Sequence, residues 1–383
     1  MDRQLKQICK LFAIAVLIKL VILPVAMLLF KLGLLDPPQH KVLFKDFNLT
    51  HCVMSYFNSD SGWYRAITLY HYDQIPVSES SGWSSPNAHF AFFPLFPFLI
   101  ASIMKITGSD FYWSAFMLNL ITLFFLIRIW VIYLTSKGFD SNTVFKLSLL
   151  LLIFPFSLHL YFIYTESLYL LLLIHVFYHA ENKHWFKVAL FASLMVLTRP
   201  NGIMILLPIA VILLENLRNA DQPNLLVRLK SLPLSVLSLI LVPLTLIAWM
   251  MYQYKITGDP FMFSHAQAFW HKEWMFPLQA LFRLGFWDQQ YMSVLVVIAM
   301  LFALYAGRKW SNSYRILVWT GILLPLSAGS VISMSRYMSV LFPFYVSMSN
   351  WVKSKYYPLL IILCILGQLM SIKWWFEDAA IMY

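Results

Sequence analysis

The chain has 383 residues, of which 60% are hydrophobic and only 12% are charged, and its formal net charge is +11. No soluble domain of that length hides so much apolar surface in one core. The excess of Lys and Arg reads as the basic loops of a membrane protein, so no nucleic-acid partner is expected. Cys9, Cys52 and Cys364 lie far apart, which leaves room for at most one disulfide and gives no metal spacing.

Mainly apolar runs of roughly 17–25 residues recur along the chain and read as transmembrane helices, which satisfy their own backbone inside lipid. The first, 11–35, follows Arg3, Lys6 and Lys10; it is long and has no evident cleavage site, so it is expected to remain as a span. Further spans are expected at 113–136, 143–164, 166–181, 185–199, 201–216, 232–254, 291–307, 315–334, 337–352 and 356–375. The apolar segment 89–106 overlaps "AFFPLFPFLIASIMKITG", whose early prolines favour a re-entrant or slanted piece. No repeat or linker divides the chain, so residues 1–383 read as one integral-membrane domain.

Basic residues set the orientation. With the N-terminus in the cytoplasm, Lys137/Lys146, Lys183/Lys187, Arg218/Arg228/Lys230, Arg308/Lys309/Arg315 and Lys353/Lys355 also fall inside, provided 89–106 does not cross. Two long loops, about 36–88 and 255–290, then face outside. They share that side with the junctions Tyr164–Glu166, Arg199–Gly202 and Ser335–Tyr337. Asp36, Asp46, Asp60, Asp73, Glu79, Asp110, Glu166, Asp259, Glu273 and Asp288 gather there, as they would around a site at the outer membrane face. Lys19 and Arg128 are the main charged residues inside the spans.

The first loop holds "YFNSDSGWYRAITLYHYD". A helix over Ser61–His71 puts Asp60 at its N-cap and aligns Trp63, Tyr64, Ile67 and Tyr70 on one face, an interfacial helix with aromatics at headgroup depth. The plain reading of Asp60 is a helix cap. Glu166 sits between two spans, where an ionisable residue is a functional candidate or a carboxylate held by a helix dipole. Arg199, in "LTRPNG", suits an anion or snorkels to the interface. "YKITGDPFMFSHAQAFW" reads as a turn and an aromatic helix, and "SMSRYMSVLFPFY" sets Arg336 before another span. Arginines suit a phosphate, aromatics suit an apolar tail or a sugar ring, and a carboxylate suits proton abstraction from a hydroxyl. No Walker loop, HExxH helix or GxSxG elbow is present, which argues against an ATP-driven pump or a membrane protease.

These stretches resemble the GPI mannosyltransferase II (PIG-V) family and its bacterial relatives, multi-spanning glycosyltransferases of the GT-C class. "SDSGWYRAITLYHY" is similar to the family pattern W-D-S-x-x-Y followed by I-A-x-x-G-Y: Asp60, Ser61, Tyr64, Ile67 and Tyr72 match, while Ser59 stands at the usual tryptophan and His71 at the usual glycine. "FFPLFP", "FPFSLHLYFIYTESLY", "TRPNG", "GDPFMFSHAQAFW" and "RYMSVLFPFY" follow in family order.

The resemblance implies an all-α polytopic membrane bundle of GT-C type, with interfacial helices in the first outer loop. It implies hexosyl transfer, mannosyl in the family, from a polyprenyl-phosphate-sugar donor to a glycolipid or glycan acceptor, with inversion of configuration and with membrane lipids around both substrates. The reaction would take place on the periplasmic or lumenal face. The membrane would be a bacterial inner membrane, or the endoplasmic reticulum in a eukaryote, where the Asn48-Leu49-Thr50 sequon would carry glycan. Asp60 is the expected base and Glu166 the second catalytic candidate. Arg199, Arg336 and Tyr337 are expected at the donor phosphate. Trp63, Tyr64, Asn201, Asp259 and Gln267 are expected around the substrates. His71, Asp73 and His265 are weaker candidates. Neither a metal nor another cofactor is expected. A flippase or transporter of lipid-linked sugars is the alternative; it should carry polar residues through the midplane. A non-catalytic scaffold has no need of the ordered acidic and arginine junctions.

Overall fold

A computed structural model describes residues 3–36, 44, 48–76, 87–218, 232–270, 272–283 and 287–378. Among these residues every regular element is a helix. We label α1 (Arg3–Lys31), α2 (Ser61–Tyr70), α3 (Leu95–Thr107), α4 (Phe111–Ser136), α5 (Ser141–Ile153), α6 (Glu166–Glu181), α7 (Trp185–Val196), α8 (Leu206–Arg218), α9 (Leu241–Thr257), α10 (Trp287–Ala306), α11 (Asn312–Leu326), α12 (Met334–Ser339) and α13 (Tyr357–Phe376).

Six helical stretches among the described residues are long and apolar enough to cross a membrane: α1, α4, α13, Pro200–Arg218, Leu234–Thr257 and Gln289–Lys309. The chain is therefore an all-α, multi-pass membrane protein. Asp46, Glu79, Arg228 and Lys230 lie outside the described residues, as does the side chain of Asp288.

The segment 89–106, read as re-entrant or slanted, forms only a short helix, and two expected spans are broken. The 13 residues of α3 rise about 20 Å, less than the roughly 30 Å hydrocarbon core. The expected span 143–164 ends as an α-helix at Ile153, because Phe154 takes the extended backbone favoured before a proline. A 3-10 turn, Pro155–Leu160, follows, and then irregular chain to Thr165. The expected span 337–352 is likewise three short pieces, α12, Pro343–Ser347 and Ser349–Lys353.

Irregular backbone is tolerated inside a membrane only where protein groups satisfy it. Asn119 of α4 donates to Leu160 O at 2.8 Å, and Lys19 of α1 donates to Tyr161 O. Ser61 Oγ donates to Ile163 O at 3.1 Å, and Ile163 N donates to Tyr56 O at 3.3 Å. Lys19 also reaches Asn119 Oδ1 at 3.0 Å and sits over the Tyr56 ring. The lysine that looks misplaced in the first apolar run thus closes a polar network behind the junction that precedes Glu166.

The helix expected over Ser61–His71 forms as α2, but most of the face expected at a membrane interface packs against protein, with Tyr70 half-buried. Trp63, Tyr64 and Ile67 are buried in the protein. Tyr64 packs edge-on against Phe92 and Phe96, with ring centroids 5.2 and 5.0 Å apart, and Trp63 stacks on Phe92 at 6.1 Å. The α3 region supplies the apolar wall that an isolated helix would have sought in lipid.

Candidate active site

Four charged residues from four separate parts of the chain meet at one point. Asp60 comes from the residue before α2, Glu166 from the first residue of α6, Arg199 from the turn after α7, and Arg336 from α12. Arg336 Nη1 pairs with Asp60 Oδ2, and its Nε donates to Glu166 Oε1 at 2.6 Å. Arg199 Nη2 pairs with the same Glu166 oxygen, and its Nε donates to Thr165 Oγ1 at 2.6 Å. Two carboxylates and two guanidiniums leave the cluster formally neutral, which is what allows it to be buried.

Local structure explains each placement. Asp60 occupies the N-cap position of α2, but its side chain makes no capping hydrogen bond and turns to Arg336 instead. Ser59 before it has φ +48° and Ser333 before α12 has φ +71°, so the chain turns sharply into both segments. In "TRPNG", a side chain at Gly202 would place its Cβ 2.5 Å from Met195 O; only glycine lets the Arg199 turn close onto α7. At the other end of α2, His71 has φ +59° and ψ −172°, a backbone region that suits glycine.

Aromatic rings orient the guanidiniums. Arg336 lies 4.2 Å from the Tyr164 ring centroid, and Arg199 lies 5.4 Å from that of Tyr169. His159 hydrogen-bonds Ser335 at 3.2 Å and stacks beside Tyr164. Tyr164, Thr165, Tyr169 and His159 were not singled out from the sequence. Their signal is position: all four surround Glu166 within the motif that contains it.

The two carboxylates differ in access. The Glu166 side chain is fully buried, whereas that of Asp60 is 18% exposed. Asp60 is thus the more accessible of the two carboxylates, and Glu166 is the buried one that pairs with both arginines. Glu166 Oε2 has no hydrogen-bond partner among the described residues, and neither has the buried Asn201 Oδ1. Asn201, Tyr337 and Tyr169 line a narrow cleft of about 30 Å3 that also includes Leu317 and Leu341.

The remaining expected residues separate into two places. Trp63 and Tyr64 lie on α2, just after Asp60, but are packed into the core. Asp259 and Gln267 belong to a local arrangement in the second loop: Asp259 pairs with His265 at 2.5 Å and Gln267 accepts from Lys272 at 3.2 Å. Neither Asp259 nor Gln267 has an ion pair or hydrogen bond to the four-residue cluster among the described residues.

No protein-family model and no curated protein matches the chain. Among solved structures it is similar to the Archaeoglobus fulgidus oligosaccharyltransferase in complex with zinc and sulfate, with 14% identity over 76% of this chain and 44% of that one and a TM-score of 0.41. It is also similar to the same archaeal enzyme tethered to an acceptor peptide containing the NVT sequon, with 12% identity over 83% and 50% of the two chains and a TM-score of 0.43. The chain spans about half the length of these structures.

Proposed function

We propose that the protein is an inverting GT-C-type membrane glycosyltransferase that moves a hexose, mannose in the first instance, from a polyprenyl-phosphate-sugar to a glycolipid or glycan hydroxyl. The observation that carries this reading is the convergence of Asp60, Glu166, Arg199 and Arg336 in one neutral, buried cluster. The motif resemblance to the PIG-V family, drawn from the same residues, supports it.

The chemistry follows from what each group can do. The donor phosphodiester competes with Asp60 for Arg336, since guanidinium and phosphate pair in a fork geometry. Once Arg336 turns to the phosphate, the Asp60 carboxylate is released from its ion pair and can accept a hydrogen bond from the acceptor hydroxyl. The acceptor hydroxyl gives its proton to Asp60 as its oxygen bonds to the anomeric carbon. The bond from that carbon to the phosphate oxygen breaks, and its electron pair leaves on polyprenyl phosphate. Arg336 and Arg199 neutralise the growing phosphate charge, so no acid is needed at the leaving group. One in-line displacement through an oxocarbenium-like state inverts the centre. Glu166 holds both guanidiniums in place from behind, while Asn201 Oδ1 is an unpaired acceptor suited to a sugar hydroxyl and Tyr337 beside it is suited to the donor. Trp63 and Tyr64 hold α2 in place, while Asp259 and Gln267 shape the second loop. We place the site on the periplasmic or lumenal face, in line with the distribution of basic residues.

The test is transfer of radiolabelled mannose from synthetic polyprenyl-phosphate-mannose into membrane extracts by wild type and Asp60→Asn. The expected loss is about 10²–10⁴-fold, the usual scale for removing a positioned base, with donor binding retained. Equal transfer by both would remove Asp60 as the base. Movement of the lipid-linked sugar across vesicles without a new glycosidic bond would replace the transferase with a transporter.

A further inference from the structure

A second polar site lies at the other end of the bundle. The helix α6 begins at Glu166 in the ion-paired cluster and ends at Glu181, 15 residues and so about 22 Å further along. There Glu181 lines a cavity of about 740 Å3, together with Lys137, Arg308, Lys309 and Trp351. Pro200–Arg218 runs the same way, from beside Arg199 to Glu215 on the cavity wall. The distribution of basic residues assigns this end to the cytoplasmic leaflet.

The carboxylates of the cavity are already engaged. Glu181 accepts from Lys137 Nζ at 2.7 Å and from Tyr133 OH at 3.1 Å. Glu215 accepts from Asn312 Nδ2 at 2.9 Å. Arg308 and Lys309 are exposed, and neither side chain has an ion-pair partner among the described residues.

These two cations sit on a pinned turn. Arg315 Nε donates to Gly307 O at 2.7 Å and its Nη2 to Arg308 O at 3.3 Å. Trp310 Nε1 donates to Ser347 Oγ at 2.6 Å. The adjoining flank of α10 is apolar and open, with Leu301, Leu304 and Tyr305 exposed.

We propose that this cavity binds the phosphodiester headgroup of an anionic phospholipid from its own leaflet, with the acyl chains lying along α10. Two unpaired cations on a fixed turn meet the phosphate, and the greasy flank beside them meets the tails. Scattered positive-inside charge would need neither the cavity nor the pinned turn.

The test uses the full chain in nanodiscs of phosphatidylcholine with a minor fraction of phosphatidylglycerol, and counts the lipids retained per protein by native mass spectrometry. Wild type should retain phosphatidylglycerol preferentially. The Arg308→Gln/Lys309→Gln double variant should retain about tenfold less or lower still, given the attraction per cation near an anionic lipid. Asn350→Trp, which fills the cavity from an exposed position without changing charge, should lower retention likewise. Lys183→Gln/Lys187→Gln, at exposed lysines of another turn that do not line the cavity, should leave it unchanged. Equal retention of both lipids by wild type would overturn the proposal, as would equal losses in the two charge variants. So would full retention by Asn350→Trp, or displacement of the lipid by millimolar inorganic phosphate, which would make the site one for free phosphate. Melting temperatures in phosphatidylcholine alone, expected to match wild type, establish that the variants are folded.

Discussion

The cluster of Asp60, Glu166, Arg199 and Arg336 and the group of Asp259, His265, Gln267 and Lys272 use similar residue types, but they are built in opposite ways. In the cluster, partners stand as far as 276 residues apart, and no side chain is more than 18% exposed. In the second loop, Asp259 and His265 are six residues apart, and their side chains are 26% and 67% exposed. Charges withdrawn from water depend on one another, whereas exposed ones share their field with solvent. The first arrangement is thus fixed by the whole fold and sensitive to any missing member. The second is a local tie that solvent can replace.

Substitutions can break that contrast, and Glu166→Ala should have the largest effect on stability. It leaves Arg199 without its counter-charge and Arg336 with Asp60 alone, and removing one partner of a buried pair costs about 3–5 kcal/mol. Thermal melting in detergent should show a loss of that order; a melting point equal to wild type would mean the arginines find other partners. Gly202→Ala comes next. Its Cβ would have to displace backbone at Met195, a strain of about 1–3 kcal/mol. Because the displaced turn carries Arg199, transfer activity should fall even in protein that remains folded.

His71→Gly acts in the other direction. The left-handed backbone at His71 costs roughly 1 kcal/mol or more for a side-chain-bearing residue, so glycine there should raise the melting point. A fall would show that the imidazole makes a compensating contact. The smallest effect is expected from Asp259→Asn, under about 1 kcal/mol, as for other exposed pairs. The hydrogen bond from His265 holds the Asp259 carboxyl below its ordinary range. A carboxyl depressed in the folded state stabilises above its unfolded pKa and loses that contribution as the pH falls through its folded value. The difference between wild type and Asp259→Asn should therefore persist at neutral pH and vanish in strong acid. A difference as large as that of Glu166→Ala would erase the contrast between the two regions.

Parts of the architecture could be read directly. The long runs that became α1, α4 and α13 needed only hydropathy, because a span of sufficient length satisfies its own backbone. The two broken spans were harder. Pro155 and Pro343 mark where the helices stop, but a proline does not say whether a helix kinks or ends. That depended on Asn119, Lys19 and Ser61 reaching across to the exposed carbonyls. Lys19 stood out as an ionisable residue inside a span, yet its role became visible only when α1 was seen beside Tyr161.

Hydropathy, charge asymmetry and motif order by themselves determined that this is a polytopic helical protein and pointed to the junctions whose charged side chains cluster. Those properties are local or statistical, and each is written in a short stretch of chain. Only the tertiary structure decided that Asp60 abandons its helix cap for Arg336, that Glu166 is the buried partner of both arginines, and that Trp63 and Tyr64 of α2 are buried against protein. The reason is that a charge or an aromatic ring takes the best partner within reach, and in a folded bundle that partner can lie hundreds of residues away.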